Sequence, residues 1–148
     1  MQAIINAAAS AYKGLIPDNC WHEPYMSLEE LQAEIQAGVR FWGYEENSRL
    51  VAVMGIQDKR EVTLIRHAYV KTDRQNLGIG SRLLKHLEGK TDKSILIGTW
   101  AGIPWTVRFY TKNGYRLLPK EEGKSLLRRF WSIPERQIEA SIVLARFR

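Results

Sequence analysis

Gln75-Asn-Leu-Gly78-Ile-Gly80-Ser81 joins an apolar run, Val62 to Val70, to a segment in which Ile79, Leu83, Leu84 and Leu87 recur at helical spacing. Glycine at such a junction lets the backbone come close to a ligand. The first amides of a helix have no intrahelical acceptor, so the junction suits an anion such as a phosphate. It lacks the third glycine of a dinucleotide fingerprint, and no Gly-Lys-Ser/Thr follows as in a nucleotide P-loop. A bare Gly-x-Gly serves equally well as a tight turn, so the motif needs company. A second group, Phe109-Tyr110-Thr-Lys-Asn-Gly114-Tyr115, sets an aromatic pair ahead of a glycine and a further aromatic. A third, Cys20-Trp-His-Glu-Pro-Tyr-Met26, has the mixed aromatic and polar composition of a recognition loop or of an anchoring one.

Charge is divided along the chain. Residues 1–57 carry three basic and seven acidic groups, whereas residues 58–148 carry nineteen and nine, so the net +6 is the sum of −4 and +10. A basic half suits a phosphate-rich ligand or nucleic acid, an acidic half suits a cationic substrate, and a solvated surface accounts for both without either. Cys20 is the one cysteine, which rules out an intramolecular disulfide and a cysteine-rich metal site; no metal ligation is expected, and the cytoplasm is the expected compartment. No apolar run reaches membrane-spanning length, and Met1 to Ala11 reads as a helix rather than a signal peptide.

The elements that must hold these groups follow from periodicity. Ile4, Ile5, Ala8, Ala11 and Tyr12 share a helical face that ends by Gly14 and Pro17. Ser27 to Glu30 reads as a capping box ahead of a second helix whose apolar face is Leu28, Leu31 and Ile35, closed by Gly38. Val39 to Glu45 and Leu50 to Ile56 form a hairpin, and Val62 to Val70 is the next strand. Ser94 to Trp100 is a buried strand, Pro104 opens a helix through Lys112, and Tyr115 to Leu118 returns as a strand. Lys120 to Trp131 fits helix or loop, and alternation from Ile138 to Leu144 predicts a last strand. Nothing divides the chain, so residues 1–148 read as one domain of 17.1 kDa.

The Gln-x-x-Gly-x-Gly pattern after a strand ending in valine, followed one helix and one strand later by Phe109-Tyr110 and Gly114-Tyr115, resembles the GNAT N-acetyltransferase family. The resemblance covers residues 39–118 most specifically. It implies an α+β fold, a mixed and mostly antiparallel central sheet flanked by helices; only Met1 and Gln2 precede the first helix, so the family's first strand is expected either to be absent or to lie before Met1. It further implies acetyl-coenzyme A (acetyl-CoA) as co-substrate. Gln75, Asn76, Leu77, Gly78, Ile79, Gly80 and Ser81 would cradle its pyrophosphate, and Ala68, Tyr69 and Val70 would run beside its pantetheine arm, with an amide near Ala68 stabilising the oxyanion. Lys71, Arg74 and Arg82 could reach phosphate oxygens.

Acetyl transfer to an amine also needs a proton for the departing thiolate, and Tyr110 matches the family tyrosine that commonly supplies it. Leu64 occupies the position at which many relatives carry a glutamate base. His67, on the same strand, is the catalytic alternative, although a structural histidine satisfies the sequence better, and Glu23 and His22 in the loop between the first two helices are rival bases. For the acceptor, Trp21 and Tyr25 would form an aromatic wall with Trp100, Glu23 would meet a cationic amine, and Arg66 an anion or carboxylate. The expected partners are a small-molecule or peptide amine and a homodimer mate, without nucleic acid or membrane. A GNAT-like module that binds acyl-CoA without catalysis, and a basic nucleic-acid-binding domain, are the rival readings.

Overall fold

The computed structural model describes all 148 residues. Helix α1 (Gln2–Ala9) runs into one 3₁₀ turn, Ser10–Tyr12, and buries Ile4, Ile5, Ala8, Ala9 and Tyr12. Asn6, a polar interruption in that apolar stretch, is an anchor. Its side chain donates to the Met26 carbonyl at 2.9 Å and accepts from the Met26 amide at 2.6 Å, fastening the end of the aromatic loop to α1.

Ser27 accepts from the Glu30 amide at 3.1 Å and starts helix α2 (Leu28–Gln36), one half of the expected capping box. The predicted apolar face of α2 is only partly correct. Leu31 is buried, but Leu28 and Ile35 are 51% and 46% exposed. The helix turns Leu31 and Glu34, one turn apart, toward the body of the protein: Leu31 packs with Ile4, Ile5, Met26 and Val53, while Glu34 reaches two polar residues of the sheet.

Strands β1 (Arg40–Glu46) and β2 (Arg49–Lys59) form the expected hairpin, turned by Asn47 and Ser48, both at positive φ as a two-residue hairpin turn requires. β3 (Val62–Val70) returns antiparallel to β2. There follow α3 (Ile79–Glu88), β4 (Ser94–Trp100), α4 (Pro104–Lys112), β5 (Arg116–Leu117), α5 (Lys120–Phe130), α6 (Glu135–Glu139) and β6 (Ser141–Arg146). The sheet order is β1-β2-β3-β4-β6-β5, antiparallel throughout except for the β3–β4 pair.

The structure settles one open segment of the sequence reading and moves the start of the last strand. Lys120 to Phe130 is helical, burying Leu127 and Phe130. The last strand starts at Ser141, because Ile138 belongs to α6 and is buried from there; one turn of helix happens to continue the apolar alternation of the strand.

Successive residues of the central strands face opposite layers. Ile65 and Ile97 pack with Leu84 and Leu87 beneath α3, and their neighbours Leu64 and Leu96 pack with Leu127 and Phe130 beneath α5. Such double-sided burial explains the unbroken apolar run in β4. One feature then prepares a site. β3 and β4 pair only from Val62 to Ile65 and from Ser94 to Ile97, and past that point the two strands part.

Candidate active site

Where β3 ends, the chain makes a 3₁₀ turn at Thr72–Arg74 and enters α3 through Gly78, which caps the helix in the left-handed region at φ 79°. Asn76 also has positive φ, 63°. No side chain caps α3, and the first intrahelical bond runs from the Arg82 amide to the Gly78 carbonyl at 3.1 Å. The amides of the first turn are therefore presented outward, where helix geometry favours an anion. Gln75 ties the loop back by donating to the Val70 carbonyl at 3.2 Å.

The two glycines do different work. Gly78 supplies the backbone conformation in open space. A Cβ on Gly80 would meet the Phe109 ring at 3.2 Å and Val70 at 3.6 Å, so Gly80 lets α3 close onto α4 and β3. The flanking cations are engaged: Arg74 donates twice to Glu46, at 2.9 and 2.6 Å, and Arg82 donates to the Tyr44 hydroxyl at 3.0 Å. Lys71 is exposed.

The parting of β3 and β4 opens a cavity of about 120 Å³. Ala68 and Tyr69 line it from β3, Trp100 from β4 and Tyr110 from α4. Tyr110 is 6% exposed. Its hydroxyl has no hydrogen-bond partner in the protein, yet no buried polar side-chain atom is left without one, so this oxygen opens into the cavity. Burial, and then the nearby Tyr12, push the Tyr110 phenol well above its ordinary range; it holds its proton at any physiological pH.

His67 sits on a bulge. Val53 faces Tyr69 and Gly55 faces Arg66, so two β3 residues, His67 and Ala68, stand opposite the single residue Met54. His67 has φ 56°, in the left-handed region, which is costly for a residue with a Cβ. Two contacts hold it there, and Arg66 braces one of them. Its Nε2 lies 2.7 Å from Glu34 Oε2, its ring stacks on Phe41 at 5.9 Å, and Arg66 reaches the same Glu34 oxygen at 2.9 Å while donating to Gln57 at 3.2 Å. With Nε2 donating to that carboxylate, Nδ1 is left as the unprotonated nitrogen. Burial pushes His67 below its usual range and outweighs Glu34, so the ring is neutral near pH 7. Burial acts to raise the Glu34 carboxyl, but the His67 bond and the Arg66 charge prevail and hold it below the ordinary range.

The acceptor-side residues separate into two groups. Trp100 Nε1 donates to the Tyr25 hydroxyl at 2.8 Å, and both rings line the cavity. Trp21 packs behind them, 5.7 Å from the Tyr25 ring. Glu23 lies outside. It is exposed and taken up by Lys13 at 3.1 Å and by the Trp21 indole at 3.3 Å, so it does not face the cavity as a free carboxylate. Tyr12, Glu34 and Trp131 were not among the candidates. Tyr12 and Trp131 line the cavity, and Glu34 orients His67. A second hollow of about 450 Å³ lies toward the other end of β3, among Arg40, Asp58, Thr63, Lys90 and Lys93. It is wider, but it is an open polar trough in which Lys93 pairs with Asp58, and it contains none of the predicted site residues.

The profile of the acetyltransferase (GNAT) domain matches residues 6–126. The chain belongs to the GNAT acetyltransferase family. Solved GNAT structures share its fold. A GNAT-family acetyltransferase from Staphylococcus aureus Mu50 is 18% identical, covering 99% of this chain and 92% of that one at a TM-score of 0.71. PaiA N-acetyltransferase from Thermoplasma acidophilum, solved with coenzyme A, is 16% identical over 98% and 88% at 0.69. A GNAT-family acetyltransferase from Elizabethkingia anophelis, solved with acetyl-CoA bound, is 22% identical over 82% and 84% at 0.63. No curated protein sequence matches. No helix of this GNAT domain is long and apolar enough to cross a membrane.

Proposed function

We propose that this GNAT protein moves the acetyl group of acetyl-CoA to a primary amine by direct attack on the thioester, with no covalent enzyme intermediate. The observation that carries the reading is the hydroxyl of the buried Tyr110, protonated and without a protein partner, facing a cavity where β3 and β4 separate. The uncapped first turn of α3 supports a pyrophosphate there, held by amides from Asn76 to Ser81 more than by the engaged Arg74 and Arg82. The β3 edge from Ala68 to Val70, unpaired toward β4, supports the pantetheine arm as an added strand, and an amide near Ala68 the carbonyl oxygen.

The amine nitrogen adds to the thioester carbonyl, the carbon–sulfur bond breaks, and the thiolate takes a proton from Tyr110. His67 Nδ1, neutral, receives the proton that the nitrogen loses, and exchange through water returns a proton to the Tyr110 phenolate. Cys20 is outside the cavity lining and has no part in this sequence.

The test is thiol release from acetyl-CoA across a panel of primary amines, with the mass of the acetylated product measured. Amine-dependent release with a product heavier by one acetyl group is expected. Tight acetyl-CoA binding with no transfer to any amine would instead make the protein an acyl-CoA-binding module.

A further inference from the structure

The lining of the cavity bears on which amine enters it, an inference that rests on the acetyl-transfer reading. Six aromatic side chains contribute: Tyr12, Tyr25, Tyr69, Trp100, Tyr110 and Trp131. No aspartate or glutamate lines the cavity; the ionisable groups besides the tyrosines are Arg66 and His67. Glu23 is held outside by Lys13, and Glu34 is turned to Arg66 and His67. An ammonium ion entering this space would lose its water and find no carboxylate. Stripping a cation of its water costs more than a cation over an aromatic face recovers. Arg66, already paired with Glu34, offers no negative charge in compensation. The balance favours an amine that arrives neutral.

Size narrows the class further. An apolar cavity of about 150 Å³ accommodates one benzene ring. This one, at about 120 Å³, must also admit the thioester, so the space left for the acceptor is no larger than a single flat ring and excludes a multi-ring amino sugar. Tyr12 and Tyr25 already meet edge to face, 6.0 Å apart, the arrangement that a further flat ring extends.

We propose that the acceptor is a primary arylamine, a flat amine with a weak conjugate acid, held by the aromatic lining of the cavity between β3 and β4. Such an amine needs no base before attack, which agrees with the lack of a carboxylate in the lining. After addition the nitrogen is acidic and passes its proton on, so the chemistry balances as written above.

The experiment compares kcat/KM of the full chain at pH 7 for 4-methoxyaniline, 2-phenylethylamine and spermidine, each with saturating acetyl-CoA. The arylamine should exceed both others by at least about tenfold, the ratio that 1.4 kcal/mol of transition-state discrimination gives. An equal or better rate with spermidine or 2-phenylethylamine overturns the arylamine class and leaves N-acetyl transfer standing. Acetylation of none of the three, with acetyl-CoA still raising the melting temperature, overturns the arylamine class and counts against enzymatic transfer as well.

Discussion

The two halves of β3 obey different rules. From Val62 to Ile65 the strand is paired on both sides, with β2 and with β4, and Leu64 and Ile65 are buried in opposite layers of the core. From Arg66 to Val70 it has lost β4, bulges at His67 into a strained conformation, and lines a cavity with Ala68 and Tyr69. One continuous strand thus serves as a structural member for half its length and, in the proposed reading, as a binding edge for the rest. The free edge is possible because the paired half, flanked by α3 and α5, fixes where the strand begins. Backbone groups and a strained residue tolerated in the second half would be intolerable in the first.

Substitutions should separate the halves. Leu64→Ala is expected to cost about 2–5 kcal/mol, because Leu64 is fully buried in a closed layer, with acetyl-CoA affinity of the folded fraction unchanged. Denaturant unfolding with and without acetyl-CoA reads both. A loss of affinity larger than the loss of stability would mean that the halves are not independent. Tyr110→Phe should do the opposite: turnover falls on the order of a hundredfold while acetyl-CoA affinity and melting temperature stay near those of the parent. Turnover at the parent level would remove the proton-donor role, and an equal loss of affinity would reduce Tyr110 to packing. Gly80→Val should cost about 1–3 kcal/mol through its collision with Phe109 and weaken acetyl-CoA binding by tilting α3. Weakened binding at unchanged stability would point to a direct ligand contact instead.

The smallest expected effect is on pH. Burial depresses the His67 pKa in the folded state, so the stabilisation tied to its neutral form is present above the unfolded value, about 6.5, and is lost as pH falls below it. Glu34, also depressed, adds a loss only at lower pH, below about 4.3. Melting temperature should therefore decline from pH 7 to pH 5, and His67→Gln should flatten that decline. An unchanged slope in the variant would assign the effect elsewhere.

Local features were legible in the sequence and composite ones were not. The hairpin, the α3 entry and the α4 start are written in short runs of turn and cap residues, and the structure has all three. The cavity is assembled from residues as far apart as Tyr12 and Ser141, so no window contains it. Strict alternation sets His67 and Leu64 on opposite sides of the strand, but the extra residue at the bulge breaks that parity; the residues of β3 do not announce it, and only the family resemblance, in which this strand is often bulged, allowed for it. Glu34 was hidden for a related reason. Its partner lies 33 positions away, and it sits on a helix whose apolar stripe pointed to Leu28 and Ile35 instead. Glu23 was read from the loop's composition and its place in the family pattern, neither of which could reveal Lys13 ten positions earlier as its partner.

Amide hydrogen exchange with and without acetyl-CoA tests the division of β3 most directly. Saturating acetyl-CoA should slow exchange at Ala68 to Val70 and through the first turn of α3, and leave Val62 to Ile65, already paired on both sides, nearly unchanged. Protection confined to other segments, with none at Ala68 to Val70, would contradict the assignment of this edge as the acyl-donor site.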